Sequence, residues 1–151
     1  MKTREVEVRQ ATRADVDLLV PLFDAYRQFY RQAGDLERAR RFLLERLEHD
    51  QSVIFLAFDG AAAIGFTQLY PSFSSGVMAR IFILNDLFVA PEARRRGAAS
   101  ALLQAAAQYG RRAGALRLVL STEISNTTAQ SVYERSGRKR DTVFCVYQLA
   151  L

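Results

Sequence analysis

Residues 89–99 read Val89-Ala90-Pro91-Glu92-Ala93-Arg94-Arg95-Arg96-Gly97-Ala98-Ala99. An apolar strand ends there, a tight loop follows and a helix begins. A helix N-terminus presents unsatisfied N–H groups and a partial positive charge, which is the chemistry that binds phosphate. Three arginines beside that end repel the dipole unless an anion lies between them. Gly97 lets the backbone approach such an anion closely, and Ala98 and Ala99 leave the approach clear. The loop has no G-x-x-x-x-G-K-[ST] and no G-x-G-x-x-G, so it is neither a P-loop nor a dinucleotide fingerprint.

The elements that must position this loop follow from periodicity and turn chemistry. Residues 5–9 alternate as a first strand. Thr12 caps a helix, with Asp15 at capping-box spacing. Leu19, Leu22, Phe23, Tyr26 and Tyr30 then recur at helical spacing. Pro21 inside that pattern predicts a kink or two shorter pieces. Asp35 caps a second helix with Phe42, Leu43 and Leu47 on one face. Residues 52–58 and 62–70 read as strands joined by an Asp59-Gly60 hairpin turn. A serine-rich loop spans 71–76. Residues 80–89 form a long apolar strand stopped by Pro91, and 97–113 a helix ended by Gly114. Residues 116–120 are a buried-type strand, 126–136 a short helix closed by Gly137, and 142–149 a last strand. The order β-α-α-β-β-β-α-β-α-β predicts an α/β (α+β) fold, a mixed sheet with helices on both faces.

Composition sets the outer bounds. A chain of 151 residues, half of them apolar, fits one domain spanning 1–151 with a real core. No apolar run reaches the ~18 residues of a membrane span, and Met1-Lys2-Thr3-Arg4-Glu5 contains no apolar leader region. Cys145 is the only cysteine, so no intrachain disulfide can form. These features favour a cytoplasmic protein. The net charge of +5 is carried by arginine, with Lys2 and Lys139 the only lysines. Such a balance attracts nucleic acid, an acidic membrane or a phosphorylated cofactor; it is equally the mark of arginine used as a general surface cation.

Arg94-Arg95-Arg96-Gly97-Ala98-Ala99 matches [RQ]-x-x-G-x-[GA], and Asn126, Ala129, Tyr133, Glu134 and Gly137 match N-x-x-A-x-x-x-Y-E-x-x-G. The first motif follows Leu87-Phe88-Val89, and a strand precedes the second. Over residues 80–140 the chain resembles the GNAT superfamily of acetyl-CoA-dependent N-acetyltransferases. Leu22-Phe23-Asp24-Ala25-Tyr26-Arg27 and Leu84-Asn85-Asp86-Leu87-Phe88-Val89 resemble its branch of small histone and polyamine acetyltransferases. Arg138 stands where the family usually places an aromatic, and Phe144-Cys145-Val146-Tyr147 lacks that branch's aromatic-His pattern.

The resemblance implies the GNAT fold, a mixed central sheet of about six to seven strands flanked by about four helices. It implies acetyl-CoA as co-substrate, no metal, and direct attack by an amine of a small molecule or protein on the thioester. Leu87, Phe88, Val89, Arg94, Arg95, Arg96, Gly97, Ala98, Ala99, Asn126 and Tyr133 would hold the cofactor. A bulge near Leu87 would splay the strand, the pantetheine arm would enter beside Val89, and a backbone N–H near Leu87 would bind the oxyanion. Tyr133, protonated at neutral pH, would donate to the departing thiolate; its spacing alone reads as a core aromatic, and it is the family match that favours the catalytic role. Asp86 is the best candidate base, directly or through water, with Glu123 second; Asp86 is equally a satisfied polar residue at a bulge. His49 at a helix end reads as a solvated cation, and Cys145 as a packing residue. Tyr26, Tyr30, Tyr70 and Phe73 could wall an acceptor slot, although aromatics at such spacing are mostly core.

Two other classes stay in view. Arg135, Arg138, Lys139 and Arg140 would suit a nucleic-acid-binding module, but no helix-turn-helix, zinc spacing or ribonucleoprotein motif accompanies them. A catalytically silent acyl-CoA-binding GNAT domain would keep the cofactor residues without turnover. The expected partner is therefore an amine acceptor, with no membrane and no nucleic acid, and a homodimer formed through residues 142–149, which would hide an edge.

Overall fold

Residues 5–151 are described by the structure, a computed structural model; the reading of the leading Met1-Lys2-Thr3-Arg4 falls outside them. The described chain divides by its internal contacts after Ser121, with Thr122–Leu151 as a second, smaller unit.

In the first unit, five strands form one sheet in the order β1-β2-β3-β4-β5: β1 (Glu7–Gln10), β2 (Val53–Asp59), β3 (Ala62–Ser74), β4 (Ala79–Val89) and β5 (Leu118–Leu120). The first four are antiparallel neighbours and β5 joins β4 in parallel. β2 is apolar at nearly every position because it is covered on both faces. Ile54, Leu56 and Phe58 point into a cluster with Leu19, Phe23 and Leu43 of the helices α1 (Val16–Phe29) and α2 (Leu36–Glu48). Phe55 faces the other way, its ring 5.9 Å from that of Tyr109 on α3 (Ala98–Arg112). Burying the large side chains of such a core is worth about 1.5–3 kcal/mol each.

Three expectations are corrected. Pro21 does not divide the first helix: α1 is continuous, preceded by a 3₁₀ turn over Arg13–Asp15 that Thr12 and Asp15 close as a capping box. Pro21 removes one bond, to the carbonyl of Asp17, and that residue's side chain lies at the surface. β3 runs through Pro71 to Ser74 instead of stopping at Tyr70. β2 ceases to pair with β3 at Leu69, so Pro71 needs a partner only on the β4 side, where it faces Phe82.

The third correction concerns the strand count, which is five among the described residues, below the six to seven expected. Residues 142–149 form no strand. In the second unit the N–H groups of Val143 and Phe144 turn back onto the Asp141 carboxylate. Val143, Phe144, Val146 and Tyr147 are all about four-fifths exposed or more. The alternating side chains that suggested a strand are present, but pattern alone supplies no partner for the backbone ladder. Before that segment, α4 (Thr127–Arg135) is capped by Asn126, whose side chain accepts from the Ala129 N–H, and ends at Gly137 in the left-handed region. No helix among the described residues is long and apolar enough to cross a membrane.

Candidate active site

β4 carries the site because its pairing changes along its length. It runs beside β5 only from Phe82 to Leu84. Residues 85–89 continue against β3 alone, so their far edge has no strand beside it among the described residues. At the divergence, Gln68 pairs with Asp86 and Leu69 with Leu84, which makes Asn85 an extra residue on β4. This bulge bends the strand and re-aims Asp86. Below it Gly65 lets β3 lie close: a Cβ there would stand 2.8 Å from the Phe88 carbonyl oxygen.

Asp86 is only 2 % exposed. Its carboxylate accepts from the Gln68 side-chain amide and, at 2.8 Å, from Asn85 Nδ2. Burial pushes its pKa above the ordinary carboxylate value, and the two amide donors together with the nearby Tyr26 hydroxyl oppose that shift. The backbone carbonyl of Asp86 is separately held by Thr67 Oγ1 at 2.8 Å. Tyr26 donates to the Asn85 carbonyl at 3.3 Å. Burial, and then the negative charge of Asp86, raise the pKa of Tyr26 and Tyr70, so both phenols stay protonated.

These groups share a cavity of about 280 Å³, just below the usual range of ligand pockets. Tyr26, Tyr70, Asn85 and Asp86 line it together with Phe23, Ala39 and Phe42. Arg27 and Arg38 complete the lining. Of the four aromatics expected to wall an acceptor slot, two are here. Tyr30 packs edge-on against Tyr26 outside the lining, and Phe73 is exposed beneath the Arg80 guanidinium. Sequence reasoning missed Arg27, Arg38 and Phe42 as lining residues and Gln68 as the partner of Asp86. The helical period of Phe23 and Phe42 marked them as facing the core, but nothing local showed that a cavity lay against them.

Beyond Val89 the chain makes a 3₁₀ turn over Pro91–Ala93 and enters α3 at Gly97, whose φ is +82°. A Cβ on Gly97 would meet nothing within 4 Å, so the turn is an open cradle. The first helical bond runs from the Ala101 N–H to the Gly97 carbonyl, leaving the earlier N–H groups of α3 without intrahelical partners. The three arginines differ. Arg94 donates to the Val89 carbonyl at 3.0 Å and lies over Phe29 and Phe88, while Arg96 pairs with Asp59 at 2.9 Å. Arg95 takes a positive φ of 63° beside the cradle. The residues present therefore suit a pyrophosphate: open N–H groups, small side chains at Ala98 and Ala99, and a cationic surround.

In the second unit Tyr133 lies half-buried on α4, and the Arg138 N–H closes the helix end on its carbonyl. Asn126 serves as the cap described above. Glu123 follows β5, its carboxylate reached by Ser125 Oγ at 3.5 Å. His49 caps the end of α2, its Nδ1 2.9 Å from the Glu45 carbonyl, and Cys145 is exposed rather than packed.

The profile of the Acetyltransferase (GNAT) family matches residues 19–137. The chain belongs to the GNAT family of acetyltransferases. It is 51% identical over 144 residues to the uncharacterized N-acetyltransferase YhfO of Bacillus subtilis, covering 95% of this chain and 97% of that one. The crystal structure of a probable acetyltransferase superposes with a TM-score of 0.91 at 46% identity, covering 96% of this chain and 97% of that one. The aminoglycoside N-acetyltransferase AAC(6′)-Iy, in complex with CoA, shares the fold: TM-score 0.83 at 21% identity, covering 99% of this chain and 98% of that one. The GNAT chain described here is accordingly an N-acetyltransferase that uses acetyl-CoA as donor.

Proposed function

We propose that this acetyltransferase, acting as one domain over residues 1–151, moves the acetyl group onto a primary amine by direct attack at the β4 bulge. The observation that carries this reading is the buried carboxylate of Asp86 in a cavity beside the strand edge that β5 leaves free. The acceptor nitrogen must lose a proton, because an ammonium has no lone pair. Asp86 takes it, directly or through one water. The nitrogen forms its bond to the thioester carbon, and a backbone N–H near Leu87 stabilises the oxyanion. The carbon–sulfur bond then breaks, and the nitrogen releases its second proton to solvent as the amide forms. Tyr133 gives a proton to the thiolate and recovers one from solvent, and Asp86 sheds the proton it took to solvent. Acetyl-CoA supplies the activated acyl group. The cradle at residues 94–99 holds its pyrophosphate, and Leu87, Phe88, Val89 and Asn126 belong to the same cofactor set.

The test is release of free thiol from acetyl-CoA in the presence of amines: polyamines, amino acids, aminoglycosides and lysine peptides. Turnover with at least one of them is expected. Tight acetyl-CoA binding with no turnover on any amine would instead mark a silent acyl-CoA-binding domain.

We infer also that two copies associate, at a cytoplasmic site of action. The exposed apolar side chains of Val143, Phe144, Val146 and Tyr147 support burial against a second copy. Sedimentation that finds only a 17.0 kDa species at micromolar concentration would refute the dimer.

A further inference from the structure

The charges around the cavity are arranged as a gradient. Its floor is acidic: Asp86 is 2 % exposed, with the phenols of Tyr26 and Tyr70 beside it. Such a floor favours an ammonium, through the carboxylate and through the ring faces. A bound ammonium would in turn stabilise the ionised carboxylate. The solvent side is cationic. Arg38, in the first turn of α2, is exposed and makes no ion pair among the described residues. Arg27, on α1, is held by the carboxylate of Asp24 at 3.4 Å and the carbonyl of Ala33 at 3.0 Å. Asp24 is itself buried and also accepts from Gln28 and from the N–H of Asp35. Its charge therefore offsets that of Arg27 and leaves Arg38 as the unmatched cation of the lining.

A polycation meets this pocket badly. One ammonium could reach Asp86, but the next would face Arg38. An acceptor with an amine at one end and an acid group at the other satisfies both ends. The walls between are apolar, from Phe23, whose ring stacks 5.7 Å from that of Phe42, and from Ala39. A cavity of about 280 Å³ is of a size that a small acceptor fills.

Resting on the acetyltransferase reading of this pocket, we propose that the acceptor is a small zwitterionic amine, with its amine at Asp86 and its anionic group at Arg38. The class comprises amines that carry a carboxylate or a phosphate. Polyamines and aminoglycosides fall outside it.

The experiment compares matched acceptors by kcat/KM. ω-Amino acids of two to six carbons and α-amino acids are set against diamines of equal length, amino acid amides and the corresponding decarboxylated amines. Ethanolamine phosphate separates a phosphate preference from a carboxylate preference. At least one acidic amine is expected to exceed its uncharged or dicationic counterpart by ~10-fold or more. In Arg38→Glu that preference should reverse, with diamines gaining and acidic amines losing, while acetyl-CoA affinity stays as in the parent. Arg38→Ala should give an intermediate result. Equal or better turnover of diamines in the parent, or a preference indifferent to Arg38→Glu, would overturn the proposal and leave the acetyltransferase reading intact. No thiol release with any amine, despite acetyl-CoA binding, would overturn both.

Discussion

The turn at residues 94–99 and the pocket around Asp86 lie a few residues apart along the chain, yet they are built in opposite ways. The turn is made of backbone. Its ligands would be N–H groups at the start of α3, its shape rests on the positive φ of Gly97, and it opens to solvent. The pocket is made of side chains brought together from α1, α2, β3 and β4, and its central group is buried. The difference teaches where each can fail. A backbone site tolerates many changes of side chain but not the loss of its one flexible residue. A side-chain site depends on one carboxylate and on the donors that fix it.

Gly97→Glu is the change expected to have the largest effect. It places a side chain and a negative charge in the cradle and forces a residue with a Cβ to φ +82°. Because a Cβ there meets no protein atom within 4 Å, the fold itself should persist. Acetyl-CoA binding should fall below detection by calorimetry. Unchanged affinity in a folded Gly97→Glu protein would mean that the pyrophosphate binds elsewhere.

The same contrast sets what could be read in advance. The turn was legible because its parts are contiguous: strand end, proline, arginines and glycine stand within eleven residues. Their roles were less uniform than the motif suggested, since Arg94 and Arg96 are engaged with Val89 and Asp59. The hairpin at Asp59-Gly60 and the capping box at Thr12 and Asp15 were legible for the same local reason. Asp86 could be picked out as a carboxylate in an apolar strand. Its partner Gln68 could not, because the pairing depends on a register shift across two strands. Arg38 looked like one more surface arginine in a helix full of them. The strand at 142–149 failed for the complementary reason: alternation describes side chains, whereas a strand exists only where another backbone pairs with it.

Asp86→Asn tests the side-chain half of the comparison. The variant removes the base and the negative charge while keeping the size of the residue. Turnover should fall by ~10²–10⁴-fold, the range of general acid–base contributions, with acetyl-CoA affinity unchanged. The pH dependence carries a sign. Burial raises the Asp86 pKa, so the active, ionised form appears only as pH rises through that raised value. The rising acid limb of kcat/KM in the parent should therefore lie above the ordinary carboxylate range and vanish in the variant. For stability the sign is opposite: folding disfavours the ionised carboxylate, so its cost grows as pH rises above the unfolded value. Losing the charge is thus compatible with a folded protein at neutral pH, which circular dichroism would check. A parent-like acid limb in Asp86→Asn would move the base to another group, Glu123 being the next candidate.

Tyr133 sharpens the comparison from a third side, since it was found by a linear motif, as the turn was, but its proposed work is done by a side-chain atom, as in the pocket. The claim rests on the hydroxyl and not on the ring, so the informative change is Tyr133→Phe. That variant keeps the apolar body of a half-buried residue on α4 and the backbone carbonyl that the Arg138 N–H uses. Stability and acetyl-CoA affinity should change little. Turnover should drop by ~10²-fold, the low end for an acid catalyst, because the departing thiolate is only moderately basic and needs modest help. If the residue were instead a wedge that packs against the cofactor, Tyr133→Phe would be nearly silent and Tyr133→Ala would lose affinity and stability together. Measuring binding and turnover separately on both variants decides between the two. Full turnover in a folded Tyr133→Phe enzyme would leave solvent as the proton donor, and the motif would then mark a place for the cofactor and not a step in the chemistry.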